Sequence, residues 1–179
     1  MPTIQELKDR VNAAIDRQAD QLIKTAKTIL NNPEPGFREF KTAKLVGEVF
    51  DSFGIAHQDG IGITGLKGYL DGATQGPTVG VMGELDSLKV QGHPHVDSET
   101  DAAHACGHHC QIGMMLGATM GLLTPEVTAQ LAGEIVPFAV PAEEFIEVEQ
   151  RSNVNRDVFL CCTVNKLLRV FSKLLNINH

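Results

Sequence analysis

Gly133-Glu134-Ile135-Val136-Pro137-Phe138-Ala139-Val140 runs directly into Pro141-Ala142-Glu143-Glu144. The first eight residues are a short apolar run and read as a buried strand. Pro137 has no N–H to give a ladder, so it predicts an edge strand or a bulge. Upstream, residues 112–123 are apolar nearly all round, with small side chains at Gly113, Gly117, Ala118 and Gly121 that permit close packing. They read as a buried helix that begins near His109 and is stopped by Thr124-Pro125. Earlier still, residues 65–70 and 78–85 are short strand-like runs around a Gly-containing stretch at 71–77, which predicts a hairpin. Asp86 follows the second run.

The first third of the chain is helical in pattern. Ile4, Leu7, Val11, Ile15, Leu22, Ile23, Ala26, Ile29 and Leu30 form one stripe, which predicts a helix over 4–30. Thr3 and Glu6 have capping-box spacing at its start, and Asn31-Asn32-Pro33 ends it. A turn at 34–37 leads to a second helix, about 39 to 53, with Phe40, Ala43, Val46, Val49, Phe50 and Phe53 on its buried side and Gly54 as its stop. Helices, a hairpin, a crossover helix and a further strand make an α/β fold, a layered sheet with flanking helices.

The remaining signal is chemical. Five of the seven histidines lie between His93 and His109, and residues 91–105 are polar and read as loop. In His104-Ala105-Cys106-Gly107-His108-His109-Cys110, imidazole and thiol groups, the usual ligands of borderline-soft divalent metals, stand one glycine apart. That glycine lets the backbone turn until Cys106 and His108 face one point. Asp86 and Glu143-Glu144 lie just past the carboxyl ends of two strands, and Cys106 and His108 just before a helix. That rim is where open α/β sheets build their sites. A metal-dependent hydrolytic site follows. The metal polarises a carbonyl and acidifies a water to a pKa near about 7. One carboxylate ligates, and the other moves the proton. Neighbouring side chains on an extended backbone point opposite ways, so the carboxylate pair needs a bend after Pro141.

Composition bounds the alternatives. The 179 residues suffice for one domain, and a net charge of −7 argues against nucleic acid as a partner. No apolar run reaches the roughly 18 residues of a membrane span. The first residues lack the basic start and apolar core of a signal peptide. Four irregularly spaced cysteines make no disulfide framework, and the reading is cytoplasmic. Cys106, His108, His109 and Cys110 could instead close a structural zinc site, although their gaps are tighter than usual. His93 and His95 read as loop residues, and Cys110 as a small buried residue at the helix start.

Five segments together carry a resemblance: residues 32–39 (Asn-Pro-Glu-Pro-Gly-Phe-Arg-Glu), residues 83–88 (Gly-Glu-Leu-Asp-Ser-Leu), His104–His108, Gly117-Ala118, and Pro141-Ala142-Glu143-Glu144. In order and spacing the chain resembles the cobalt-, zinc- or manganese-dependent metallopeptidases. These include aminoacylases, glutamate carboxypeptidases and N-acyl-amino-acid amidohydrolases, and the chain is most similar to the amidohydrolase branch. The resemblance implies a partial zinc-peptidase-like (phosphorylase/hydrolase-like) catalytic domain over 1–154. It implies Cys106, His108 and Glu144 as metal ligands, with Cys106 able to bridge two ions. Glu143 is then the general base, and Asp86 the aspartate that orients a ligand. His109 stands where the family has Asp or Asn. The substrates implied are small amides or peptides, with room for a homo-oligomer.

The family's two further histidine ligands, its inserted dimerisation or lid domain and the second half of its catalytic domain have no counterpart here. The resemblance therefore implies a truncated or frameshifted form, with an atypical basic amphipathic tail at 155–179. The family uses two Mn, Zn or Co ions; three nameable ligands allow one at most. The alternative to an amide hydrolase is an inactive fragment. With neighbours missing, the helix before Thr124 and the strand before Pro141 would expose apolar surface and favour self-association.

Overall fold

The computed structural model describes residues 1–145. The tail at 155–179, and the last residues of the 1–154 unit, lie outside the described residues. Helix α1 (Ile4–Arg17) opens with the expected capping box between Thr3 and Glu6. Helix α2 (Ala19–Leu30) follows at once, so the single helix expected over 4–30 is in fact two. The break falls at Gln18, with φ −103° and ψ 5°. The stripe of apolar residues has a gap there, between Ile15 and Leu22, filled by the polar Arg17, Gln18 and Asp20. Ile4 and Ile23, assigned to the stripe, are exposed.

Helix α3 (Phe40–Ser52) buries Val46, Val49 and Phe50, and Gly54 follows it at φ 67°. Phe40 is exposed rather than buried. The Glu34 carboxylate caps this helix, accepting from the N–H groups of Lys41 (3.1 Å) and Thr42 (2.8 Å) and from the Thr42 hydroxyl (3.0 Å). Two of the donors orphaned at a helix start are satisfied in this way.

The sheet has four strands: β1 (Ala56–Ile61), β2 (Gly65–Asp71), β3 (Thr74–Glu84) and β6 (Ala132–Val140), in the order β1-β2-β6-β3. Two short strands, β4 (Leu88–Lys89) and β5 (Ala102–Ala103), pair separately, the second of them inside the stretch 91–105 read as loop. The hairpin expected between 65–70 and 78–85 does not form. The hairpin lies one strand earlier, between β1 and β2, while β6 inserts between β2 and β3. β6 runs antiparallel to β2 and parallel to β3. Parallel neighbours need a crossover, and helix α4 (His108–Leu122), followed by the short α5 (Pro125–Thr128), supplies it.

Pro137 therefore sits in a central strand, not at an edge. It fits because the ladder to β2 pairs Leu66 with Ala139 and Lys67 with Phe138, and resumes only at Leu70 with Ile135. The proline ring occupies that gap against Gly68, where an added Cβ would stand 2.8 Å from Pro137 Cγ and 3.0 Å from Ile55 Cγ2. We expect Gly68→Ala to cost about 1–3 kcal/mol by overpacking, read as a lower midpoint in urea. An unchanged midpoint would mean that the proline is not seated this way.

α4 is apolar all round because α1 and α2 pack on one side of it and β3 and β6 on the other. Its small residues allow this: Gly117 faces Leu22, and Gly121 faces Val11. α3 covers β1 and β2. The core joins Ile29, Val46, Phe50, Leu66, Leu85, Ile112, Met115 and Leu116. Both elements are covered over most of their length, so the exposed apolar surface expected there is confined, among the described residues of α4, to Met114, which is 66% exposed. Phe138 and Val140 are buried, as are Ile112, Met115 and Met120.

Candidate metal centre

Parallel pairing brings the ends of β3 and β6 to one edge, with Glu84 opposite Val140. Asp86 follows the first strand and Glu143-Glu144 the second. The bend expected after Pro141 is there: Ala142 has φ 52°, and Glu143–Phe145 form a 3-10 turn. A non-glycine residue in the left-handed region is strained by about 1–3 kcal/mol, so the surroundings must hold it. The backbone N–H of Ala142 donates to Glu39 Oε1 at 2.7 Å.

Cys106 and His108 arrive from the other direction, at the start of α4. Gly107 between them has φ 88°, a conformation that L side chains rarely adopt, and it is the N-cap residue. The His108 ring is buried and lies 2.8 Å, through Nδ1, from the main-chain carbonyl oxygen of Asp86. A carbonyl can only accept, so Nδ1 carries a hydrogen, and in the neutral ring that a metal requires the lone pair is on Nε2. Asp86 is fully buried, and its Oδ1 is 3.2 Å from the same Nδ1. Oδ1 nevertheless has no directed hydrogen bond, because the N–H points at the carbonyl. Asp86 Oδ2 accepts from the backbone N–H of Glu144 at 2.9 Å. One aspartate thus touches both the imidazole and the carboxylate-bearing turn.

His108 Nε2 faces three carboxylates: Glu84 at 2.9 Å, Glu144 at 3.7 Å and Glu143 at 4.0 Å. Two donor groups result, each with ligand atoms within 4.8 Å of one another: Cys106, His108 and Glu144; and Glu84, His108 and Glu143. Ligand atoms about 2.0–2.3 Å from a zinc ion fall within such a span, so the residues fit a divalent metal. Both groups draw on the same Nε2. Cys110 and His109 join neither group among the described residues, so the closed zinc alternative finds no support. Cys110 is exposed rather than buried, its Sγ 3.2 Å from His109 Nε2, because the first turn of α4 opens onto the rim.

Electrostatics follow from the crowding of acids. Burial alone would push the His108 imidazole down. The hydrogen bonds to Asp86 and Glu84 outweigh it, and the pKa is raised to about 10. The Cys106 thiol is exposed, yet it is pushed up to about 11, chiefly by the Glu144 carboxylate beside it. Burial also raises the Glu143 carboxyl, helped by Glu84 and Glu144. His104 is buried with no hydrogen-bond partner on either ring nitrogen. Burial, with His109 and His108 nearby, holds its pKa down at about 4. His93 and His95 join neither donor group among the described residues.

Glu84 is the site residue that sequence reasoning missed. The available signal was strand alternation: residues two apart share a face, so Glu84 and Asp86 approach the same histidine.

No family model matches the chain. Curated relatives do. The chain is 31% identical over 143 residues to thermostable carboxypeptidase 2 of Saccharolobus solfataricus, covering 78% of this chain and 36% of that protein. It is 32% identical over 128 residues to the IAA-amino acid hydrolase ILR1-like 5 of Arabidopsis thaliana, covering 70% and 29% respectively. Among solved structures, the Bacillus subtilis YXEP protein, a dinuclear metal-binding peptidase of the M20 family, superposes with a TM-score of 0.66 at 25% identity, over 82% of this chain and 40% of that one. The α/β fold, a sheet flanked by helices, is that of these peptidase catalytic domains. The homologues are metal-dependent amidohydrolases and metallopeptidases of the M20 family, and the likeness to them covers 70–78% of this chain. It spans about a third of the length of the curated relatives it matches.

Proposed function

We propose that this chain carries a one-ion metal centre for hydrolysis of amide bonds in N-acyl amino acids or small peptides. The observation behind the reading is the convergence of Cys106 Sγ, His108 Nε2 and a Glu144 carboxylate oxygen, with Glu143 beside them. A sulfur, a nitrogen and an oxygen suit zinc or cobalt, and manganese less well because of the thiolate. A divalent ion held there would supply the charge that polarises an amide carbonyl and acidifies water. Glu143, its carboxyl raised by burial, takes the proton and returns it to the leaving amine. Asp86 fixes the His108 tautomer and the backbone of Glu144. The relatives' names place their substrates among peptides and amino-acid conjugates, and the same class is proposed here, in a cytoplasmic setting. Among the described residues no helix is long and apolar enough to cross a membrane.

A second reading, metal binding without turnover, is favoured by the single Nε2 shared between both donor groups. One lone pair serves one ion, and a two-ion centre would need further ligands. The residues from 1 to 154 are proposed as the unit that carries the centre. The 179-residue chain, loaded with zinc, cobalt or manganese, should hold one ion by elemental analysis and hydrolyse N-acetyl amino acids weakly at best. Two bound ions with robust turnover would overturn the one-ion assignment, and no bound ion would overturn the centre itself.

A further inference from the structure

Glu39 belongs to neither donor group, yet its side chain is completely buried. Among the described residues no lysine, arginine or histidine pairs with it. Its two oxygens are instead committed to a neutral partner each: Oε2 accepts from the Thr64 hydroxyl at 2.6 Å, and Oε1 accepts from the Ala142 N–H at 2.7 Å. The second bond spans 103 positions of sequence and ends on the strained residue before Glu143. Two residues further on, Asp86 accepts the N–H of Glu144. Two buried acids thus hold the backbone on either side of Glu143, one from the start of α3 and one from the end of β3.

We propose that Glu39 is a positioning residue for the Glu143-Glu144 pair, acting through the Ala142 N–H that it accepts. A buried acid is expensive to keep without a charged partner, and a purely structural tie between α3 and β6 could be made by an apolar contact. A carboxylate reaching one backbone N–H in the left-handed region does what an apolar contact cannot: it holds Ala142 at φ 52°, and so sets where the next two side chains begin. Thr64, in the turn between β1 and β2, holds the carboxylate itself. The inference rests on the metal-centre reading for its consequence, and on the backbone contact for its cause. The two are tested separately.

The experiment uses the full 179-residue chain and three variants. Glu39→Gln keeps an oxygen for Ala142 and turns its amide toward Thr64. Glu39→Leu keeps the bulk and removes the acceptor. Val46→Ala loosens the core away from the site. The first measurement is hydrogen exchange at the Ala142 amide by NMR, without metal. It should be slow in the parent and in Glu39→Gln, and at least about tenfold faster in Glu39→Leu. The second is cobalt titration followed by absorption. Glu39→Gln should bind within about threefold of the parent. Glu39→Leu should bind about tenfold or more weakly, in the range expected when a ligand loses its supporting bond, with a changed cobalt spectrum at saturation. Val46→Ala should lose stability and keep the parent spectrum. If Glu39→Leu does not fold, Glu39→Asp replaces it; one methylene shorter, it cannot reach both Thr64 and Ala142. An unprotected Ala142 amide in the parent overturns the inference, and so does a parent-like spectrum and affinity in a folded variant that has lost the bond. A parent that binds no cobalt removes the metal reading, and amide exchange alone then decides whether Glu39 holds the turn.

Discussion

Each unit by which pH is lowered near neutrality is expected to weaken zinc or cobalt binding by about a hundredfold, because two protons must leave on binding. The thiol of Cys106, pushed up to about 11, and the imidazole of His108, raised to about 10, both hold protons at neutral pH in the metal-free chain. A metal requires thiolate and a bare Nε2, so each site contributes about a factor of ten per pH unit. The sign is fixed by the raised values. Affinity climbs with pH until it approaches the His108 value and flattens above the Cys106 value. Competition against a chelating dye at several pH values reads the slope, and calorimetry in two buffers counts the protons. Cys106→Ser should weaken binding and reduce the slope to about tenfold per unit, while Cys110→Ser should leave both unchanged. A flat profile, or equal losses from the two cysteine variants, would remove Cys106 from the ligand set.

The same shift has a consequence for the metal-free chain. A histidine whose folded pKa lies above its unfolded value stabilises the fold fully below the unfolded value, 6.5, and this contribution disappears as pH rises through about 10. Without metal, the protein should therefore lose stability toward alkaline pH as the imidazolium between Asp86 and Glu84 is neutralised.

Substitution of the adjacent glutamates should separate two roles that sequence position alone does not distinguish. Glu144→Gln is expected to lower metal affinity by about a hundredfold, since a neutral amide oxygen replaces a charged ligand in a set of three. Glu143→Gln should leave metal content near that of the parent. Where hydrolysis is measurable, it should lower kcat by about 10²–10⁴, the range for loss of a general base. The geometry motivates the split. The carboxylate of Glu144 closes a group with Cys106 and His108, whereas Glu143 lies on the Glu84 side of the imidazole, 4.0 Å from Nε2. Elemental analysis of both variants settles the metal half. Equal metal loss in the two would place Glu143 in the ligand set and leave the base unassigned.

The relation between Glu39 and Asp86 bears on how such a site keeps its shape. Asp86 is the last buried acid of the β3 end, and Glu39 stands at the start of α3. Ser87, next to Asp86, donates through both its N–H (2.9 Å) and its hydroxyl (2.8 Å) to the Glu34 carbonyl. The Asn32–Glu39 segment therefore supports both carboxylate-bearing loops without contributing to a donor group. Its glutamates act through backbone N–H groups and helix caps.

Local features of this protein were determined by sequence alone. The Thr3–Glu6 capping box, the span of α3 with its Gly54 stop and the crossover helix before β6 each follow from interactions within a few residues; the bend after Pro141 was legible as well, but its left-handed Ala142 is held by Glu39 from 103 positions away. So does the meeting of Cys106 with His108, since one left-handed glycine separates them. Strand alternation also carried the Glu84–Asp86 relation, although Asp86 alone was assigned a role. What lay beyond the sequence was any choice made between distant segments. The hairpin moved to β1–β2 because β6 pairs better between β2 and β3, a decision taken by long-range ladders rather than by the loop at 71–77. Pro137 could enter a central strand only because Gly68, 69 positions earlier, leaves room for its ring. Phe40 and Cys110 fell on exposed positions because neither a sheet nor a helix covers them. The Glu39–Ala142 bond spans 103 positions, and no periodicity announces it: a single carboxylate acquires that role only when tertiary packing brings one particular backbone N–H within its reach.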